Sequence, residues 1–546
     1  MKPSSLLLGG SWWLSCYPGW RAYRRALSQP DRAQSKVLSK ILRENAGTKF
    51  GQEHRFSEID NPRKWREQVP ARSYEELKPW LQKVVEGEQE VVCANTDKNR
   101  ITLLEPSSGS TSASKLIPYN QRLREEFQAG IAPWIFEIYR RQPRLLLGPA
   151  YWSISPLVAT EEQSTGGLPI GFEEDSAYLG GFQQRMVNKF LAVPSCIRGA
   201  GDTGSFRYLS AWRLLMEPEL RLISVWSPSF LGLLLSPLQT AWDQLLEDVA
   251  TGIPRPPEPV DPVILKAFTG RPAPRRAREL ADIGPEGFSR IWPRLGLVSA
   301  WADAHAASQV GKFMKGFGEV DFQAKGLVAT EGMVSLPYAG MHPLAIRSHF
   351  LEFEDEEGQC HGAGDLVQDG EYKVLLTTGG GLYRYRLQDR VKVDGFVAST
   401  PSIRFLGKED MTSDRCGEKL SEAFVGRALR CAWVDLGVEP GFAMLAPDPT
   451  TKGESYTLYA DRGLPEQSAH TLENRLRRNF HYDWCIRVGQ LQPLRVFCIQ
   501  GDAWAKWYAT CQARGQRLGD VKPGPLDLRP GWSEAFSGHY LDRPGA

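Results

Sequence analysis

Between residues 144 and 332, short apolar runs alternate with amphipathic stretches. No other feature restricts the fold as much. The runs RLLLGPAYWSIS (144–155), LRLISVW, LGLVSAW and KGLVATEG read as strands. SAYLGGFQQRMVNKFLAV (176–193), FRYLSAWRLLM, SFLGLLLSPLQTAWDQLLEDVATG (229–252) and ADAHAASQVGKFMKGFG read as helices between them. Strands joined through helices form a largely parallel sheet, so the class is α/β.

Ahead of this region, Leu123, Phe127, Ile131, Ile135 and Ile138 fall at helical spacing and predict an amphipathic helix over 121–141. From about residue 345 the segments LAIRSHFLEFED, EYKVLLTT, YRYRLQDRVKVDGFV and IRFLGK predict short antiparallel strands. After residue 410, SEAFVGRALRCAWVDLG and SAHTLENRLRRNF read as helices, and SYTLYAD and LRVFCI as strands, giving a small α+β domain. A chain of 546 residues exceeds one ordinary core. The expected division is a large N-terminal domain with mixed sheets (1–407) and a small, mobile C-terminal domain (408–546).

The N-terminal SSLLLGGSWWLSCYPGW is apolar, but Gly and Pro interrupt it. It falls short of the roughly 20 apolar residues that span a bilayer. A buried segment leading into the helical RAQSKVLSKILRENAG is expected, with a signal peptide as the alternative. Lys and Arg total 66 against 64 Asp and Glu, a net +2. That balance gives no nucleic-acid footprint and no membrane-surface charge. None of the nine cysteines has C-x-x-C spacing, which argues against a zinc site or redox dithiol and for reduced thiols in the cytoplasm.

Four stretches carry chemistry. SSGSTSASK (107–115) has the composition of a linker, yet it lies between a strand and the 121–141 helix. Small residues there let backbone N–H groups converge on an anion, while Ser107, Ser108, Ser110 and Thr111 add hydroxyls and Lys115 a charge. It lacks Walker A spacing. Glu331 in GLVATEG follows a predicted strand, where open α/β sheets place ligand groups, and could hold Mg²⁺; a solvated loop glutamate is the alternative. Asp389 in YRYRLQDRVKV suits the two hydroxyls of a ribose; an exposed hairpin aspartate would look the same. FLGKEDMTSDRCGEKLSE (405–422) begins the second domain and also reads as a plain linker.

Taken in order, these motifs resemble the adenylate-forming superfamily. Ser107, Ser108, Gly109, Ser110, Thr111 and Lys115 match its phosphate loop, with Ser112 in place of the usual Gly. Tyr385, Arg386 and Asp389 match its ribose motif, with Leu387 and Gln388 replacing Thr-Gly. Gly407, Asp410, Gly417, Lys419 and Leu420 match its hinge, with Lys408 where Arg is usual. SSGSTSASKLIPYN, ELRLISVWSPSFL, GLVATEG, YRYRLQDRVKV, RENAGTKFG and LGDVKPGPL further resemble the plant auxin- and jasmonate-conjugating acyl-acid amido synthetases and their bacterial relatives, from about residue 17 to 535. The phosphate loop is shorter than in the plant members.

The resemblance implies a ligase that adenylates a carboxylic acid with ATP and Mg²⁺, then passes the acyl group to an amine, typically an amino acid. It implies that Ser107, Ser108, Gly109, Ser110, Thr111 and Lys115 cradle the β- and γ-phosphates. Thr330 and Glu331 would meet the α-phosphate and the metal, Asp389 the ribose, and Lys408 would join the nucleotide site. Asp410 would be the hinge. Lys522 would reach the α-phosphate and stabilise charge there, although an ordinary surface lysine has the same sequence signature. Tyr151, Trp152, Trp226, Phe230 and Trp301 flank predicted strand ends and are candidates for an acid pocket, with core packing as the alternative for each. A monomer is expected. An acyl-CoA ligase shares the first half-reaction, and a non-catalytic nucleotide- or acid-binding regulator would keep the fold without the chemistry.

Overall fold

In a computed structural model, the structure describes residues 3–107, 115–153, 162–171, 190–226, 228–303, 310–311, 313–409, 411–451, 453–461, 463–514, 516 and 524–541. The chain divides at Phe405/Leu406 into two compact units, where the sequence expectation placed the boundary at 407/408.

The first unit contains the expected parallel sheet. Its strands are Ala150–Trp152, Leu222–Ser224, Leu297–Ala300 and Asp321–Ala324, side by side in that order and all parallel. The strand expected over 144–155 is shortened to Ala150–Trp152, because Gly148 and Pro149 interrupt the run and Pro143–Leu147 coils as a 3₁₀ turn. The helix expected over 229–252 is three helices: Pro228–Leu235, Pro237–Thr240 and Trp242–Thr251. Pro237 lacks the N–H that would continue the first helix by bonding the Leu233 carbonyl, which stops it there. The helix expected over 176–193 lies almost entirely outside the described residues.

A second sheet pairs Ile101–Ser107 antiparallel with Lys115–Asn120, and a short strand Pro169–Ile170 runs parallel to the first. A third has five strands, in the order Cys360–His361, Phe350–Glu354, Glu371–Thr377, Tyr385–Val397 and Thr400–Lys408. The amphipathic helix Gln121–Arg141 has the bounds its spacing predicted. Asn120 starts it by accepting a hydrogen bond from the Leu123 N–H.

The apolar N-terminus is a helix, Pro3–Ala26, laid along Gln121–Arg141. Trp13 stacks on Phe136 at 5.1 Å, and the Trp20 indole N–H donates to Glu137 at 3.3 Å. Trp12, Cys16, Trp20 and Tyr23 of this helix are buried in the core. No helix among the described residues is long and apolar enough to cross a membrane.

The second unit has its own core. The strands Ala443–Pro447, Tyr456–Ala460, Arg495–Ile499 and Gly538–Tyr540 form one sheet. Helices Glu422–Leu436 and Ser468–Leu476 pack Val425, Leu429, Leu472 and Leu476 into the same cluster as Leu445 and Leu458 of the sheet.

Candidate active site

The strands Ile101–Ser107 and Lys115–Asn120 close a hairpin in which Ser107 pairs with Lys115. Both ends of the phosphate-type loop are thus held at one point. Ser108, Gly109, Ser110 and Thr111 lie outside the described residues. The neck is pinned from a third side by Tyr74 on the helix Tyr74–Val85, whose phenol accepts the Leu116 N–H at 2.8 Å.

Past the hairpin, Asn120 donates to the carbonyls of Asn99 and Gly379, each at 2.9 Å. Six residues later, Glu126 accepts the Gly379 N–H at 3.0 and 3.1 Å, and His349 Nδ1 lies 2.9 Å from its carboxylate. A Cβ on Gly379 would come within 2.4 Å of Arg122 and 2.8 Å of Glu126, so only glycine permits this approach. The turn that leads into Tyr385 is therefore fastened to the N-terminus of the 121–141 helix.

Tyr385 is the centre of the cluster. It is fully buried, takes a hydrogen bond from Lys115 Nζ at 3.4 Å and gives one to Glu331 Oε1 at 3.3 Å. The Lys115 ammonium also sits 5.8 Å from the Tyr74 ring, within cation–π range. Burial pushes the Tyr385 phenol above its ordinary range, and the charge and hydrogen bond of Glu331 add to this, followed by the charge of Asp389. The phenol therefore stays protonated and donates to Glu331.

Glu331 is only 7% exposed, and no lysine or arginine among the described residues lies within ion-pair distance of it. A buried carboxylate in that state fits a bound cation, and its hard oxygens fit magnesium. Thr330 beside it is held through its carbonyl by the Tyr119 phenol.

Glu331 does not sit at the carboxyl end of a parallel strand, as its sequence position suggested. It occupies the turn of a small antiparallel hairpin, Val328–Ala329 with Gly332–Met333. The parallel strand ends earlier, at Ala324, because the chain folds back at Gly326. There a Cβ would lie 2.3 Å from the Ser335 carbonyl, and the Leu327 N–H turns to Ser335 Oγ.

Asp389 is 3% exposed and lies within the long strand Tyr385–Val397. Lys373 pairs with Arg390 and Leu375 with Arg386, so residues 387–389 bulge out of the ladder. Gln388 makes the bulge with φ of 66°. Arg386, part of the same motif, is committed to the framework: it holds Glu354 at 2.9 and 3.2 Å and the Ala71 carbonyl at 3.1 Å.

Lys115 and Glu331 are thus joined through one phenol, with Ser107 paired to Lys115 at the hairpin neck, Thr330 beside Glu331, and the charge of Asp389 acting on the same phenol. Lys408 ends the strand Thr400–Lys408 and is exposed, while Asp410 and Lys522 lie outside the described residues. Sequence reasoning gave Tyr385 no role of its own, although its place in the Y-R-x-x-D motif was the available signal.

Solved ligase structures share this fold. A 2-hydroxyisobutyryl-CoA ligase in its postadenylation state shares the fold at a TM-score of 0.53 and 10% identity, over 91% of this chain and 89% of that one. A GH3.15 acyl acid amido synthetase superposes with a TM-score of 0.80 at 18% identity, over 94% of this chain and 93% of that one. Family models for the GH3 family N-terminal, central and C-terminal domains match residues 20–322, 342–408 and 435–526, and the chain belongs to the GH3 family. Among its relatives is an indole-3-acetic acid-amido synthetase GH3.2 of Arabidopsis thaliana, 23% identical over 79% of this chain and 82% of its own length. Another is the jasmonoyl–L-amino acid synthetase JAR6 of Nicotiana attenuata, 23% identical over 70% of this chain and 69% of its own.

Proposed function

We infer that this chain is an ATP-dependent acyl-acid amido synthetase. A carboxylic acid attacks the α-phosphate of ATP, pyrophosphate leaves and an acyl-adenylate forms. The amine of an amino acid then attacks the acyl carbon, giving an amide and releasing AMP. The observation that carries this reading is the buried Glu331 carboxylate, with the Tyr385 phenol as donor and no ion pair among the described residues, beside the Lys115 hairpin neck.

In this reading Lys115, Ser107 and the loop residues Ser108, Gly109, Ser110 and Thr111 hold the β- and γ-phosphates. Thr330 and Glu331 face the α-phosphate, and Glu331 would hold Mg²⁺, which supplies charge neutralisation on the phosphates. Asp389 accepts from the ribose hydroxyls, and Lys408 would contribute to ATP binding. The large unit binds acid and ATP. The small unit turns about Asp410 between half-reactions and brings Lys522 to the α-phosphate, where charge builds as the acid attacks. All nine cysteines are free, which fits a reducing cytoplasm.

Acid-dependent ATP–pyrophosphate exchange with pooled aryl and alkyl acids tests the first half. Mass analysis of products with pooled amino acids tests the second. Exchange and amide products are expected, and Lys522→Ala should lower exchange by roughly 10²–10³-fold, the scale of losing one such donor. Thioesters formed with coenzyme A in place of amides would make the chain an acyl-CoA ligase. No exchange with any acid would leave a regulator.

A further inference from the structure

Three metal-ligating side chains meet inside the second unit. Thr412–Ser413 and Leu420–Ser421 pair as a hairpin, and its loop carries Cys416 and Glu418. Gly417 between them takes φ of 103°, a conformation that glycine adopts without strain. Cys485 comes from the helix Phe480–Arg487, and its thiol donates to the Cys416 carbonyl at 3.4 Å. The two Sγ atoms and a carboxylate oxygen of Glu418 all lie within 4.8 Å of one another. Cys416 Sγ is 3.4 Å from Glu418 Oε2. Metal bonds of about 2.3 Å to sulfur and about 2.0 Å to oxygen, at tetrahedral angles, would set that edge at roughly 3.5 Å. The cysteines are 69 residues apart, so no local C-x-x-C spacing announces them.

Glu418 is fully buried, and no lysine or arginine among the described residues lies within ion-pair distance of it. The guanidinium of the nearby Arg415 goes to Glu454 at 3.0 Å instead. The backbone N–H groups of Arg415 and Cys416 and the Tyr456 phenol donate to the Glu418 carboxylate and fix its direction.

A dithiol can close as a disulfide or hold a metal. Disulfide formation proceeds through a thiolate. Here burial, and after it the charge of Glu418, push the Cys416 thiol well above its ordinary range, so a bare thiolate is scarce. A cation reverses the effect of the carboxylate, which becomes a third ligand instead of a repelling charge. Thiolates are soft and select zinc-type ions over magnesium.

We propose that Cys416, Glu418 and Cys485 bind one zinc-type divalent cation, which staples the hairpin to the helix Phe480–Arg487. Binding displaces one proton from each thiol, so two protons leave as two metal–sulfur bonds form. Cys485 and Glu418 are buried and Cys416 is half-buried, so a water completes the coordination on the Cys416 side. Tyr456 is a positioning residue for Glu418. The proposal does not depend on the adenylation reading.

The test is a cadmium titration of the reduced, chelator-treated full chain, read by thiolate-to-cadmium absorption in the ultraviolet and by thermal unfolding. Wild type should bind one equivalent with the charge-transfer band and a raised unfolding midpoint. Zinc should compete for the site and magnesium should not. Tyr456→Phe should weaken binding by about 10–100-fold, the scale of losing a group that orients a ligand. Cys416→Ser and Cys485→Ser should each weaken it further, and Cys431→Ser, which alters an exposed cysteine outside the cluster, should leave it unchanged. No charge-transfer band in wild type, a band that survives both Cys416→Ser and Cys485→Ser, or magnesium competing as well as zinc overturns the proposal. Where Cys485→Ser does not fold, the wild-type titration and Cys416→Ser decide.

Discussion

Replacing Tyr385 by phenylalanine removes one oxygen from the centre of the site and leaves the buried ring in place. The phenol takes a hydrogen bond from Lys115 at 3.4 Å and gives one to Glu331 at 3.3 Å. Both partners are charged but both bonds are long, so each contributes at the low end for such bonds, about 1.5 kcal/mol. Loss of one or both from the ATP-bound transition state therefore lowers kcat/KM for ATP by roughly 10–150-fold. The fold loses less, about 1–2 kcal/mol, as Glu331 remains buried with one donor fewer. Pyrophosphate exchange at varied ATP separates the two effects: a positioning role changes KM for ATP and kcat, whereas a packing role moves only the unfolding midpoint. The loss should shrink in a Glu331→Gln background, where the partner charge is already gone. An exchange rate for Tyr385→Phe within twofold of wild type at all ATP concentrations would refute this account of the site.

Gly379→Ala forces a methyl against Arg122 and Glu126, and should cost about 1–3 kcal/mol in urea unfolding while also reducing exchange, because the same turn leads to Tyr385. Glu352→Ala strands the buried Arg384, which lies 2.9 Å from it, and also frees Arg66 and the Trp65 indole; a loss of about 3–5 kcal/mol is expected by the same measurement, with Glu352→Gln milder. Burial pushes the phenols of Tyr23, Tyr139, Tyr383, Tyr385 and Tyr482 above the ordinary value of 10.0. They lose their protons only when the chain unfolds. Their contribution is complete below the unfolded value and disappears as pH rises, so the urea midpoint should fall steeply between about pH 10 and 12.

The helix Gln121–Arg141 was legible to the residue because periodicity and an asparagine cap agree on where it starts. The strand Asp321–Ala324 was not, since it is a sheet edge whose Asp and Gln break the apolar run that marks its neighbours. Pro447 similarly disguised Ala443–Pro447. In the site, motif order pointed to Lys115, Glu331 and Asp389, but no spacing along the chain reveals that Lys115 and Glu331 meet at one phenol. That depends on long-range hydrogen bonds, Asn120 and Glu126 to Gly379, which leave no periodic trace.

Gln388 bears on whether the ribose site survives. Glycine is usual at this place in the superfamily, and its replacement, together with Ser112 in the phosphate loop, is what keeps a regulator without catalysis in play. The structure gives the residue a left-handed conformation, φ 66°, inside the two-to-four mismatch between Lys373–Leu375 and Arg386–Arg390. A side chain in that region costs about 1–2 kcal/mol, which a glycine would avoid. A strand with no need of the bulge could relax into a regular ladder and recover that energy. This one keeps the bulge, and Asp389 remains buried. The left-handed backbone at 388 is thus kept without the residue that makes it easy.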